Sequence, residues 1–117
     1  MANTVRSRKS KGKKLQKEVQ TLLLEKTEKF GLVDGDIRNA IMGESGIDLK
    51  LSPAAEKIIP FDIECKNQEK INVWSAISQA EENSKLGRIP LTVFRRNRSK
   101  TYCIIEINDL FKIVFDD

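Results

Sequence analysis

Apolar and polar residues alternate twice in the middle of the chain. From Gly46 to Leu51 the order is Gly-Ile-Asp-Leu-Lys-Leu, and from Pro60 to Lys66 it is Pro-Phe-Asp-Ile-Glu-Cys-Lys. A two-residue period marks a half-buried β-strand. The alternation predicts Ile47, Leu49 and Leu51 on one face of a first strand, with Asp48 and Lys50 on the other. In the second strand Phe61, Ile63 and Cys65 are expected to face inward. Asp62, Glu64 and Lys66 then share the opposite face, with Glu64 and Lys66 roughly 7 Å apart as same-face neighbours.

Elsewhere the period is helical. Leu15, Val19, Leu22, Leu23 and Phe30 form one apolar stripe from Lys13 to Phe30, and Gly31 is placed to stop that helix. Asn72 is a suitable N-cap for a helix buried through Val73, Ala76, Ile77 and Ala80 and ended by Gly87. Ile89 to Phe94 and Tyr102 to Ile107 are apolar runs of the kind seen in strands covered on both faces. Asn108 is expected to cap a last helix through Leu110, Phe111, Ile113 and Val114. Val33 to Asp36 carries turn chemistry, and Ile37 to Met42 reads equally as a short helix or an edge strand. Ala54 to Lys57 is helical but too short to stand alone. Core packing or a dimer contact suits Trp74, the only tryptophan, better than base stacking. The order of helix, two strands, helix, two strands, helix predicts an α/β fold, an α/β/α sandwich whose mixed central sheet is flanked by helices.

Length adds one bound: 117 residues make a single domain, read as 13–117, after a basic tail at 1–12 expected to be disordered. No apolar run approaches the roughly 18 residues of a membrane span, and the basic start is not followed by a signal-peptide segment. Two cysteines indicate neither a disulfide framework nor a four-ligand zinc site, which fits a reducing cytoplasm. Histidine is absent, so histidine-metal nucleases, Ser-His-Asp hydrolases and histidine general bases are excluded. Charge is uneven. Arg6, Arg8, Lys9, Lys11, Lys13 and Lys14 are opposed by no acid in the first 14 residues, against a whole-chain net of +4, so the remainder is slightly acidic. Affinity for nucleic acid must therefore come from the tail and from local patches.

The densest such patch is the turn from Arg95 to Lys100, with Arg95, Arg96, Arg98 and Lys100 as cations; Lys85 and Arg88 lie nearby in sequence. Arginine and lysine on loops suit phosphate contacts at the rim of a cleft. Candidate chemistry lies in the strand pair. If the strands pair, Asp48 joins Glu64 and Lys66, and two carboxylates and an ammonium converge. Mg²⁺ is commonly held by one or two carboxylates, with water and substrate phosphate completing its shell. An ordinary hairpin with one solvated, charged face accounts for the same alternation.

Gly46-Ile47-Asp48 followed by Ile63-Glu64-Cys65-Lys66 resembles the PD-(D/E)XK nuclease superfamily, which has the restriction-endonuclease-like fold. The surroundings match in order. A first helix carries Glu18, a helix after the Glu-x-Lys strand carries Gln79, and Gly87 to Arg95 leads to a closing strand. That order is similar to the small Holliday-junction-resolvase-like and phage-encoded members, from Lys13 to Ile113. The resemblance implies a Mg²⁺-dependent DNA endonuclease that hydrolyses phosphodiesters with metal-activated water. Mn²⁺ is expected to substitute, and no nucleotide cofactor is implied.

In that reading Asp48 and Glu64 are metal ligands, with the Cys65 carbonyl as a third. Lys66 orients the nucleophile or stabilises charge, and Glu18 and Gln79 assist. Lys13, Lys14, Lys85, Arg88, Arg95, Arg96, Arg98 and Lys100 contact DNA, which is branched or duplex. A homodimer in the cytoplasm of a bacterial or phage-infected cell is expected, with no membrane association. A phage or mobile-element nuclease acting on duplex, flap or replication DNA fits the same residues. So does a catalytically silent DNA-binding module.

Overall fold

A computed structural model of the chain describes residues 5–41 and 43–116, with side chains described from Gly12 onward. The first four residues of the expected tail, Met42 and Asp117 lie outside the described residues, as do the side chains of Arg6, Arg8, Lys9 and Lys11. Helix α1 runs from Val5 to Thr27, so it starts eight residues before the expected Lys13. Lysine and arginine are good helix formers, and a helix already nucleated by packing extends through them at little cost. A 3₁₀ turn at Glu28–Phe30 follows, and Gly31 closes it in the left-handed region at φ 86°. The stop at Gly31 is therefore as expected.

The expected turn is a 3₁₀ turn at Asp34–Asp36, and the ambiguous segment after it forms strand β1 at Ile37–Asn39. Strand β1 pairs antiparallel with β2, Leu49–Leu51. The link read as helical but too short to stand alone forms helix α2 at Pro53–Ile58, held by a cap and by packing. Ser52 caps it by accepting the Ala55 N–H at 3.1 Å, Pro53 suits the first turn, and Ala55 and Ile59 bury against Leu32 and Ile37. Strand β3, Phe61–Asn67, then runs parallel to β4, Ile89–Arg95, which pairs antiparallel with β5, Tyr102–Ile104. Between β3 and β4 lies α3, Val73–Asn83, capped by the Asn72 side chain. The chain is thus an α/β protein with two sheets, the antiparallel pair β1–β2 and the mixed three-stranded sheet β3–β4–β5; β2 pairs with β1 and not with β3, so one continuous central sheet and the direct pairing of the two alternating strands are not formed.

Helix α1 covers one face of β3 and β4: Leu15 and Val19 pack on Ile63, Cys65, Val93 and Leu49. Helix α3 lies on the other side, through Asn83 and the following Ser84, which bond Glu64 and Asp62. The Asp62/Glu64 face, which an ordinary hairpin would leave solvated, is therefore buried. Asp62 is 2% exposed and Glu64 1%. The chain leaves α3 at Asn83, earlier than Gly87, because Ser84 and Lys85 N–H turn in to bond Asp62; Gly87 instead makes a separate turn at φ 84°.

Strand β5 is not covered on both faces: Tyr102 and Cys103 are exposed at the sheet edge. Helix α4, Ile107–Phe115, is capped by Glu106, which accepts the Asp109 N–H at 3.0 Å, and not by Asn108. Trp74 is exposed on α3, which excludes the core role. Among the described residues no helix is long and apolar enough to cross a membrane.

Candidate functional site

Asp48 stands where the two pieces of sheet meet. Gly46 turns the chain toward it in the left-handed region, at φ 90°, and a Cβ there would lie 3.0 Å from Lys50 Nζ. Asp48 follows at a bend one residue before β2. Its N–H donates to the Ile63 carbonyl at 3.1 Å, and its own carbonyl accepts the Ala40 N–H at 2.7 Å. Its carboxylate Oδ2 accepts the Cys65 N–H at 2.7 Å. Backbone and side chain are thus both fastened to β3, and the carboxylate has little freedom to rotate.

Glu64 reaches the same place from β3. Its carboxyl lies against that of Asp48, and its Oε1 accepts the Asn83 Nδ2–H at 3.0 Å. Burial raises its pKa from 4.5 to about 7, and the neighbouring Asp48 charge adds to the rise. The Asn83 bond and the Lys66 ammonium pull it back only in part. Lys66 is half-buried two residues further along β3. Asp48, Glu64 and Lys66 are therefore brought together.

The contrast with Asp62, on the same face of the same strand, sets the electrostatics of the site. Asp62 accepts from Arg88 Nε at 2.6 Å, Lys85 N–H at 2.9 Å and Ser84 Oγ at 3.1 Å. Its charge is matched by a guanidinium. Glu64 is equally buried, but it has one neutral donor and a second carboxylate beside it. A buried acid so placed must keep a proton or receive a cation.

The remaining candidates fall in different places. Glu18 points away from the pair, bonding Arg95 Nη1 at 2.7 Å and Thr101 Oγ1 at 2.5 Å. Accordingly, among the described residues no three acidic or thiol side chains converge as a cage. Gln79 is exposed on α3. The α3 residue that touches Glu64 is Asn83, four positions later on the side of the helix that the sequence had assigned to Gln79. The Cys65 thiol is packed in the α1-facing core, and burial pushes its pKa up, so only its backbone carbonyl is a candidate ligand.

Of the basic residues, Arg88 is engaged inside the protein. Besides Asp62 it donates to the carbonyls of Glu56, Ile59 and Phe61 at 3.2, 2.5 and 2.9 Å. Lys85 pairs with Glu56 at 3.3 Å, and Arg95 with Glu18. Arg96, Arg98 and Lys100 are exposed on the β4–β5 turn, and Lys13 and Lys14 on α1; none of these five forms an ion pair among the described residues. The turn follows directly from Arg95, which pairs with Asn67 just past Lys66, so these cations lie at the Lys66 end of the sheet. Lys13 also lines a cavity of about 280 Å³ beside Asp48, with Gln16, Ala40, Ile41 and Glu44.

The donor set at the centre is two carboxylates, all hard oxygen, flanked by an ammonium. It suits a small divalent cation that keeps several waters and takes substrate phosphate as a further ligand. Comparison of the chain with protein-family models, curated proteins and solved structures gives no match.

Proposed function

We propose that this chain is a divalent-cation-dependent DNA endonuclease of restriction-endonuclease-like fold, acting at the Asp48–Glu64 pair. The observation that carries the reading is the buried Glu64 carboxyl. Among the described residues it forms no ion pair, with Lys66 only a partial counter-charge, and it lies against a second carboxylate fastened by the Cys65 N–H. Mg²⁺, with Mn²⁺ as substitute, is the cation that this oxygen donor set favours. When bound there, the ion polarises a phosphate oxygen and acidifies a water.

The chain's own residues do the rest. Asp48, fixed by the Cys65 N–H, and Glu64, fixed by Asn83, hold the ion's position. The Lys66 ammonium faces the charge that grows on the attacked phosphate and the attacking oxygen. Arg96, Arg98, Lys100, Lys13 and Lys14 supply exposed positive charge for the phosphates on either side of the scissile bond. Glu18 acts through Arg95 and Thr101, holding the β4–β5 turn against α1. Branched DNA such as a four-way junction is the preferred substrate in this reading, with duplex or flap DNA as the alternative.

The test uses purified protein with four-way junction, duplex, flap and single-stranded DNA, in Mg²⁺, Mn²⁺ or EDTA, with binding followed by gel shift. Metal-dependent cleavage that is lost in Asp48→Ala and Glu64→Ala while binding persists is the expected result. Salt-sensitive binding without cleavage in either metal identifies a silent binding module and overturns the enzymatic reading. Undiminished cleavage by Glu64→Ala removes this site.

A further inference from the structure

Phe94 and Tyr102 stand opposite each other in the last pair of β4 and β5 before the turn that joins them. Their ring centroids are 6.1 Å apart and their planes are tilted by 33°. Phe94 is half-buried, whereas Tyr102 is 55% exposed. On its other side Phe94 is paired with Lys66 of β3. Residues opposite one another on paired strands carry their side chains on the same face. Cys65 and Val93, one pair earlier, pack under α1. Lys66, Phe94 and Tyr102 therefore form a row on the other face, the one that carries Glu64.

We propose that Tyr102, backed by Phe94, is a stacking platform for an unpaired DNA base close to the scissile phosphate. Strands lie roughly 4.8 Å apart, so Tyr102 stands roughly 10 Å from Lys66 along the row. A DNA strand advances about 3.4 Å per nucleotide, and a base within three nucleotides of a phosphate at Lys66 reaches the ring. Every base offers a flat π face to such a ring, whatever its identity. Inside a duplex both faces of a base are covered by its neighbours, so only a base displaced from the stack can lie there.

Charge beside the ring fits the same occupant. Arg96, Arg98 and Lys100, on the turn that follows the row, are exposed and form no ion pair among the described residues. The turn is fastened: Asn97 N–H donates to Glu69 Oε2 at 3.0 Å, and Arg96 N–H to Ser99 Oγ at 3.0 Å. Cations for the backbone next to an aromatic face for the base are the combination used by single-strand-binding grooves. Contact with Phe94 restricts the Tyr102 ring before DNA arrives, which lowers the cost of ordering it. The platform thus selects DNA with unpaired bases over fully paired duplex. It rests on DNA as the substrate proposed above, and not on metal chemistry at Asp48 and Glu64.

Fluorescence anisotropy of the full chain with labelled single-stranded and fully paired DNA, in EDTA so that nothing is cleaved, tests the platform. Tyr102→Ala should lower the ratio of single-strand to duplex affinity by about 5- to 150-fold, the alanine effect for one stacked base. The salt slope should stay the same, because no phosphate contact is lost. Tyr102→Phe keeps the ring and should keep the ratio. Tyr102→Leu keeps apolar bulk without a π face and should behave like Tyr102→Ala. A fluorescent aminopurine base in the single strand should be quenched by wild type and Tyr102→Phe, and less by the other two variants. An unchanged ratio in folded Tyr102→Ala or Tyr102→Leu overturns the platform, and metal-dependent cleavage by wild type then leaves the nuclease reading standing. A lowered salt slope assigns the loss to the turn's cations and overturns stacking. A wild-type chain that binds no single-stranded DNA overturns it too. A ratio that falls as expected in a protein that cleaves in neither Mg²⁺ nor Mn²⁺ upholds the platform and overturns the enzymatic reading alone.

Discussion

Glu64→Gln should make the metal-free protein more stable at alkaline pH while abolishing its response to divalent cations. The reasoning starts from a carboxyl whose pKa rises from 4.5 in an exposed setting to about 7 in the fold. Between those values the folded state holds a proton that the unfolded chain has lost. Stability is then fully present below 4.5 and declines as pH rises through about 7. Above that, the buried anion costs the fold about 3 kcal/mol relative to a neutral side chain, at 1.36 kcal/mol per pH unit. Glutamine has the same shape and no charge. Its amide oxygen accepts from Asn83, and its NH₂ group donates to the Asp48 carboxylate.

Thermal melts of wild type and Glu64→Gln across this pH range provide the assay. The variant should melt roughly 10 °C higher near pH 8, and the two curves should converge below about pH 4.5, where Glu64 is protonated in the folded and unfolded chain alike. Adding Mg²⁺ near pH 8 should raise the wild-type melting temperature, by about 2.7 kcal/mol of stabilisation at a hundredfold excess over Kd, because binding replaces the missing counter-charge. The variant should not respond. If Glu64→Gln is less stable than wild type near pH 8, or if the difference does not change with pH, Glu64 is not the uncompensated acid described here.

Three further outcomes follow from the same contacts. Cleavage should increase as pH rises through about 7, since Glu64 holds a cation only after losing its proton; a rate maximum near pH 5 would contradict that. Arg88→Ala should destabilise the fold by about 3–5 kcal/mol in urea unfolding, because it strips the buried Asp62 carboxylate of its matching cation and removes a donor from three carbonyls. An unchanged denaturation midpoint would instead return Arg88 to the DNA-contacting set. Arg96→Ala with Arg98→Ala should leave stability unchanged and lower the salt slope of DNA binding by about 2, the value for two lost phosphate contacts. An unaltered slope places the turn outside the interface.

Much of the fold was legible because the core is built from local periodicity. The α1 stripe through Leu15 and Val19, the strand faces at Ile63 and Cys65, the Asn72 cap and the Gly31 stop each depend on residues within one element. Errors arose where an element's fate is decided by what packs on it. The run from Tyr102 to Ile107 is apolar enough for a covered strand, but no element returns over it, so β5 ends at Ile104 and stays exposed. Ala54 to Lys57, read as helical but too short to stand alone, is the converse case: the helix forms because Ser52 caps it and Ala55 and Ile59 are buried in a neighbouring cluster.

The site divides along the same line. Strand alternation placed Glu64 and Lys66 on one face, and Asp48 joined them only on the condition that the two strands pair; in the fold Asp48 reaches β3 from a bend, through its N–H to the Ile63 carbonyl and its carboxylate to the Cys65 N–H. Alternation could not tell Asp62 from Glu64. Both are acids at equivalent positions on β3, and both are almost wholly buried. What separates them lies more than a dozen residues away in sequence: Arg88 reaches back to neutralise Asp62, while Asn83 and Asp48 give Glu64 one neutral donor and a like charge. The same distance hides the fate of the basic residues. Arg88 and Arg95 read as surface cations in a charge count, but each pairs with a carboxylate of the fold, while the turn beyond them and Lys13 and Lys14 on α1 are exposed and form no ion pair among the described residues. An acid that the fold buries without an ion pair among the described residues is therefore the most informative residue in the chain, and its recognition depends on accounting for the other charges around it.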